Sequence, residues 1–215
     1  MAVRAKICGI NSREALDAAV AGGASFVGFV FYPPSPRALT PAAAGELAAA
    51  VPRTVGKLGL FVDDPDERIA DVLAKAPLDM LQLHGQETPA RVAAIRRHFG
   101  LPVMKAVKVA GADDLAAADG YVGVADWLLF DAKPPKEMTG ALPGGNALAF
   151  DWQLLAGRAW PSPWMLSGGL TPENLGEAVR ISGARVVDVS SGVEAAPGQK
   201  DPAKIAAFLA EAARL

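Results

Sequence analysis

Trp164-Met165-Leu166-Ser167-Gly168-Gly169-Leu170-Thr171-Pro172-Glu173-Asn174-Leu175 reads as one complete strand–turn–helix unit. An apolar run ends in a glycine turn, and the turn leads to a threonine set before a proline. A threonine hydroxyl accepts from the free N–H groups of a helix's first turn, and a proline there has no N–H to satisfy. The same order recurs along the chain. Strand candidates are Arg4–Cys8, Phe26–Val30, Val55–Val62, Met80–His84, Val103–Val109, Trp127–Asp131, Trp164–Ser167 and Arg185–Val189. Several are solidly apolar, as expected of parallel strands covered on both faces. Thr40-Pro41, Asp64-Pro65, Thr88-Pro89 and Asp201-Pro202 repeat the Thr171-Pro172 cap, and Asn11 with Glu14 has capping-box spacing. Gly22-Gly23 and Gly100 stand where helices should stop.

Eight such units in 215 residues predict an α/β protein: one (β/α)8 barrel domain of near-minimal size, spanning residues 1–215. A doubly wound open sheet uses the same unit. Its dinucleotide fingerprint, Gly-x-Gly-x-x-Gly after the first strand, is absent; that strand ends in Cys8-Gly9-Ile10-Asn11. The longest predicted connection, Ala132 to about Ala149, is a candidate functional loop.

Composition narrows the partners. Hydrophobic residues make up 51% and charged residues 20%, which excludes a disordered chain. Lysine plus arginine (21) against aspartate plus glutamate (23) gives −2, so no basic footprint calls for nucleic acid or an anionic membrane surface. A single cysteine forms no internal disulfide and fits a reducing compartment. The first ten residues lack the apolar run of a signal peptide, and the uncharged stretch Ala18–Pro36 is broken by glycines and prolines. The expectation is a cytoplasmic protein, monomer or homodimer, whose partner is a small molecule.

Residues two apart on a strand share a face. Lys6 and Cys8, Gln82 and His84, Asp131 and Lys133, and Asp188 and Ser190 are such pairs, each at or just past the C-terminal end of an apolar strand. Barrels bind substrates at that end, so four polar pairs on four strands suggest a polar pocket. Cys8 shares a face with Lys6 and precedes a helix N-terminus, both of which favour thiolate; a small core residue is the bland alternative. Asp131 reads equally as a carboxylate bonded to backbone amides, His84 as a satisfied core histidine, Asp188 as a neutraliser of Lys6, and Lys133 as solvated. Ser167-Gly168-Gly169-Leu170 and Ser190-Ser191-Gly192-Val193 follow strands seven and eight, where barrels commonly build a phosphate site from glycine backbone and a helix N-terminus. Arg37 lies in a loop stiffened by Pro33, Pro34 and Pro36 and is placed to clamp a carboxylate, unless it is an idle surface arginine. These features suggest a sugar-phosphate enzyme.

Lys6-Ile7-Cys8-Gly9-Ile10, Ser35-Pro36-Arg37, Leu81-Gln82-Leu83-His84-Gly85, Leu129-Phe130-Asp131-Ala132-Lys133, Phe150-Asp151-Trp152, Leu166-Ser167-Gly168-Gly169-Leu170, Asp188-Val189-Ser190-Ser191-Gly192-Val193-Glu194 and Pro197-Gly198-Gln199-Lys200-Asp201 together resemble phosphoribosylanthranilate isomerase, in order and spacing, over essentially the whole chain. The resemblance implies a TIM barrel that performs an Amadori rearrangement in tryptophan biosynthesis, with no metal and no cofactor. It places a general base on Cys8 and a general acid on Asp131. It puts the anthranilate carboxylate on Arg37, the bridging amine or sugar hydroxyls on Asp188, and phosphate on the backbone around Gly168, Gly169, Ser190, Ser191 and Gly192. His84 joins the candidate substrate contacts. One departure stands out: family members commonly read Gly-Gly-Thr-Gly where this chain has Gly144-Gly145-Asn146-Ala147. Ala147 disfavours a positive φ, whereas Asn146 tolerates a left-handed conformation, so altered loop geometry with retained activity is expected. A ribulose-phosphate epimerase would need histidines and acids around a metal, and only two histidines exist, His98 being in a predicted helix. A catalytically idle sugar-phosphate-binding barrel is the rival from another class.

Overall fold

Eight short runs with little room for polar residues pair edge to edge in chain order and close on themselves. They are β1 (Arg4–Cys8), β2 (Phe26–Val30), β3 (Gly56–Phe61), β4 (Met80–Leu83), β5 (Val103–Val109), β6 (Trp127–Ala132), β7 (Trp164–Leu166) and β8 (Val186–Val189). Every neighbouring pair is parallel, and β8 returns to β1 to complete the barrel. The structure, a computed structural model, describes residues 2–135, 138 and 142–215. Each predicted strand is found, with ends shifted by a residue or so.

Helices α1 (Arg13–Ala21), α2 (Pro41–Ala49), α3 (Asp66–Leu73), α4 (Pro89–Phe99), α5 (Ala112–Ala118), α6 (Leu175–Ser182) and α7 (Pro202–Arg214) pack around the barrel. Thr40, Thr88 and Asp201 cap α2, α4 and α7 through their side-chain oxygens, as the Thr/Asp-Pro spacing predicts. Gly100 ends α4 in the left-handed conformation. Three local expectations are corrected. Ser12, not Asn11, caps α1 by accepting from Ala15 N–H, because the Asn11 amide is drawn across the barrel mouth to donate to Gly198 O. Asp64 accepts from Val62 N–H rather than from α3, which starts one residue late. Thr171 opens a turn, and α6 begins only after Asn174, whose Oδ1 accepts from Thr171 N–H.

The sixth unit departs most. No α-helix follows β6 among the described residues; a 3-10 turn at Trp152–Leu155 stands in its place. The predicted long loop from Ala132 to Ala149 occupies that connection, and residues 136, 137 and 139–141 of it lie outside the described residues.

Two apolar regions hold the barrel. Ile7, Val27, Phe29, Leu81, Phe130 and Val187 face outward onto helix residues such as Leu16, Ile69, Val92, Ile95 and Phe208. Phe26, Leu58, Met80, Met104, Leu129, Met165 and Val186 fill the interior toward the N-terminal end of the strands, so the barrel is plugged from below. Each fully buried large apolar side chain contributes about 1.5–3 kcal/mol. Among the described residues no helix is long and apolar enough to cross a membrane. Removing a cap should be felt locally: Thr88→Ala is expected to lower the unfolding free energy by about 1 kcal/mol in urea titrations, with the slope unchanged.

Candidate active site

Moving up the barrel, the inward rows change from apolar to polar. Alternation places Lys6 and Cys8 of β1, Gln82 and His84 at the end of β4, Asp131 of β6, Ser167 after β7, and Asp188 and Ser190 at the end of β8 on the inner face. Cys8, Arg37, Gln82, His84, Asp131, Ser167, Asp188 and Ser190 line one cavity of about 480 Å³ at the C-terminal mouth. Gly168, Gly169, Ser190, Ser191 and Gly192 line a second, of about 350 Å³, beside it. Asp131, Gly145, Ser167, Asp188 and Ser190 belong to both walls, so the cavities adjoin. Cys8, Arg37, His84, Asp131, Asp188 and the Gly168, Gly169, Ser190, Ser191 and Gly192 turns, all expected from sequence, are therefore at this mouth. Lys133 is not: β6 ends at Ala132, and the lysine turns outward to pair with Asp114 of α5 at 2.5 Å.

The β1 side of the mouth rests on a buried ion pair. Lys6 is fully buried, and its Nζ donates to Asp188 Oδ1 at 2.8 Å. Asp188 Oδ2 accepts from Ser167 Oγ at 3.1 Å. Burial pushes the Lys6 ammonium down, but Asp188 and then Cys8 outweigh it and hold Lys6 above the ordinary lysine value. For Cys8 burial is also the largest effect and pushes the thiol up; Lys6 opposes it, and Asp188 adds to it. The net shift is upward, so the thiol is neutral at pH 7. Lys6 acts in the direction expected from sequence but is outweighed, and α1 starts only at Arg13, after an intervening turn. Gly28, paired with Cys8 across β1 and β2, makes room for both groups. A Cβ there would lie 3.0 Å from Cys8 Sγ and 3.2 Å from Lys6 Nζ.

Across the mouth, Asp131 Oδ1 accepts from Ala132 N–H at 2.9 Å, and Oδ2 lies 3.1 Å from His84 Nε2. His84 Nδ1 lies 3.0 Å from Gln82 Nε2. His84 thus touches the candidate acid directly, which the sequence did not reveal.

Arg37 is buried and engaged, not idle. Its Nε and Nη2 donate to the two carboxyl oxygens of Glu194 at 2.7 and 2.8 Å, and Nη2 also reaches Gly145 O. Its two-pronged edge is therefore taken within the protein, and Nη1 has no hydrogen-bond partner among the described residues. Glu194 is held in turn by Lys200 at 2.8 Å, and Lys200 also donates to Ser190 O. A short hairpin, β9 (Glu194–Ala196) with β10 (Gln199–Lys200), brings these two residues to the mouth. Burial opposes the Glu194 charge, but hydrogen bonds from Arg37 and the nearby Lys200 hold its carboxyl below the usual range. Glu194 and Lys200 were legible only as members of the family-like motifs.

In the second cavity the turn after β7 needs its glycines. Gly168 and Gly169 have φ of 87° and 63°, and a Cβ on either would lie 2.7 Å from backbone nitrogen, of Ala132 and Ala149 respectively. Facing them is Ala147, at φ 56°. Here the structure corrects the sequence expectation: alanine itself adopts the left-handed conformation. Asn146 instead spends its side chain on Leu142, accepting from its N–H at 3.0 Å and donating to its carbonyl at 2.7 Å.

A closed parallel barrel with convergent polar rows at its C-terminal mouth defines a (β/α)8-barrel enzyme. A family model described as N-(5'phosphoribosyl)anthranilate (PRA) isomerase matches residues 5–211. The chain is similar to N-(5'-phosphoribosyl)anthranilate isomerase of Rhodospirillum centenum, with 62% identity over all of both chains. It also resembles the solved phosphoribosyl anthranilate isomerase of Thermotoga maritima (38% identity, TM-score 0.87, covering 99% of this chain and 100% of that one). Another solved relative, in complex with reduced 1-(o-carboxyphenylamino)-1-deoxyribulose 5-phosphate, is 36% identical, with TM-score 0.83 and coverage of 99% and 100%. The chain belongs to the N-(5'-phosphoribosyl)anthranilate isomerase family and is an isomerase of tryptophan biosynthesis.

Because Cys8 is the chain's one cysteine, its charge state can be read directly. Alkylation by iodoacetamide should rise with pH with a midpoint above that of free cysteine, about 8.5. A midpoint below that value would show that Lys6 outweighs burial.

Proposed function

We propose that this chain converts N-(5'-phosphoribosyl)anthranilate to 1-(2-carboxyphenylamino)-1-deoxyribulose 5-phosphate by an Amadori rearrangement, with Asp131 as general acid and Cys8 as general base. The observation that carries this reading is that the two side chains line one cavity, which shares its wall with a glycine-built cradle. The substrate has three parts, and the mouth offers three matching environments. Gly168, Gly169, Ser191 and Gly192 would take the phosphate through backbone N–H groups. Val30, Leu60, Val62, Leu142 and Pro143 give the first cavity an apolar side for the aromatic ring. Arg37 Nη1 would meet the ring's carboxylate. The pentose then spans the shared wall, beside Asp131, Asp188 and Cys8.

In this reading Asp131 protonates the ring oxygen, the C1–O bond breaks, and the nitrogen lone pair forms a C1=N iminium. Cys8 takes the C2 proton, and the C–H electrons form C1=C2 while the nitrogen regains its pair. The enolamine loses its O–H proton and gains one at C1, giving the ketone. A thiol held above its ordinary value is scarce as thiolate but strongly basic once formed. The iminium charge adds to Lys6 in favouring thiolate at the moment a base is needed. Asp188 would orient the bridging amine or a sugar hydroxyl, and His84 would border the sugar. The enzyme works in the reducing cytoplasm, where its lone thiol stays free, as a monomer or homodimer without metal or cofactor.

Loss of the fluorescent aminoaldose provides the assay. Cys8→Ala and Asp131→Asn should each lower kcat by about 100-fold or more with the melting temperature preserved; near-normal turnover in either variant removes that residue from its role. Arg37→Ala should raise KM more than it lowers kcat. It should also reduce stability, since the Glu194 carboxylate keeps Lys200 and the Gly198 N–H but loses its two-pronged partner, and an unchanged KM would count against the carboxylate contact.

A further inference from the structure

We propose that Gln82 and His84 act as positioning residues for Asp131: Gln82 fixes the tautomer of His84, and His84, donating to Oδ2, fixes the plane in which the Asp131 carboxyl presents its transferable proton. The inference rests on Asp131 being the general acid. Gln82 is fully buried at the third position of β4, and its Nε2 lies 3.0 Å from His84 Nδ1. An amide nitrogen can only donate, so Nδ1 is an acceptor, and the neutral imidazole then carries its hydrogen on Nε2. Nε2 lies 3.1 Å from Asp131 Oδ2 and donates to it. The carboxyl plane is thus fixed at both oxygens, by His84 on Oδ2 and by the Ala132 N–H on Oδ1. That oxygen lies at the boundary between the two cavities, where a Cβ on Gly168 would approach it to 3.2 Å.

A buried orphan marks this arrangement as more than packing. Gln82 Oε1 has no hydrogen-bond partner among the described residues. An unmet buried acceptor costs free energy that a leucine in the same volume would not incur. The opposite amide orientation would leave the NH2 group unmet instead and turn the imidazole lone pair toward the carboxylate. The main chain of the loop after β6 covers the contact closely: a Cβ on Gly144 would fall 2.8 Å from both Asp131 Oδ2 and His84 Nε2. The His84–Asp131 bond is thus held from both sides, by Gln82 below and by backbone above.

The chain's two histidines make the tautomer measurable by 15N NMR on imidazole-labelled protein, with exposed His98 as internal reference. In the free enzyme the His84 hydrogen is expected on Nε2, with Nδ1 bare. Gln82→Leu should lose that preference and lower kcat by about 10- to 100-fold while KM stays within about twofold. His84→Gln, whose amide N–H falls near the place of Nε2–H, should recover most of the activity that His84→Leu loses. An Nδ1–H tautomer in the wild-type protein, a folded Gln82→Leu variant with wild-type kcat, or His84→Gln no better than His84→Leu each overturns the proposal. If Gln82→Leu does not fold, the wild-type tautomer and the His84 pair decide. The tautomer is read without substrate, so its outcome is separable from that of Asp131→Asn, which tests the acid itself.

Discussion

The seam of the barrel and the floor of its polar mouth are the same contact. Strand β8 returns to β1 in a register that sets Lys6 opposite Asp188, and their side chains meet inside the barrel at 2.8 Å. Either charge buried alone would cost several kcal/mol, so the pair is tolerable only when both strands are in place. Closure therefore presents the site already charged and already aligned. Two residues further along each strand lie Cys8 and Ser190, and Ser190 Oγ donates to Cys8 O at 3.2 Å, tying the two loop starts together. A one-residue slip of β8 would send Asp188 to the outer face, leave Lys6 unpaired and turn the second cavity inside out.

How much of this was legible depended on range. The eight strands were readable because parallel strands covered on both faces leave continuous apolar runs, and the three cap threonines or aspartates that held did so through bonds to their own helix. Polar residues spaced two apart gave the inward rows, and hence Cys8, Asp131 and Asp188 at one mouth. What failed was decided by partners far along the chain. Asn11 lost its capping role to Gly198, and Arg37 proved to be clamped by Glu194, 157 positions away. No local pattern encodes such pairings. The thiol's charge state failed for a different reason: the sequence shows a lysine two residues off but not the depth of burial that outweighs it.

Arg37 shows how a side chain can be both structural and available. Its Nε–Nη2 edge grips Glu194 while Lys200 holds the same carboxylate, so the guanidinium is fixed before any ligand arrives. Its rotamer entropy is therefore already lost in the folded chain. The hairpin that carries Glu194 and Lys200 contributes nothing to the barrel wall. Its place in the fold is explained by this support of the loop after β2, against which Gly198 also packs closely.

The sixth unit gives up its helix to a loop, and that exchange places main chain where a helix could not reach. Gly144 lies over the His84–Asp131 bond, Gly145 against the Arg37 guanidinium, and Ala147 beside the Gly168-Gly169 turn. One connection therefore touches Asp131, Arg37 and the glycine turn after β7. Such reach constrains its path, and the strain collects at Ala147, where a left-handed alanine costs about 1–2 kcal/mol. The two Asn146 side-chain bonds to Leu142 oppose that cost by closing the loop on itself. They also explain why the asparagine, which would tolerate positive φ more readily, is not the residue that adopts it. Its side chain can brace Leu142 only from where it stands, and the turn must then be completed one residue later.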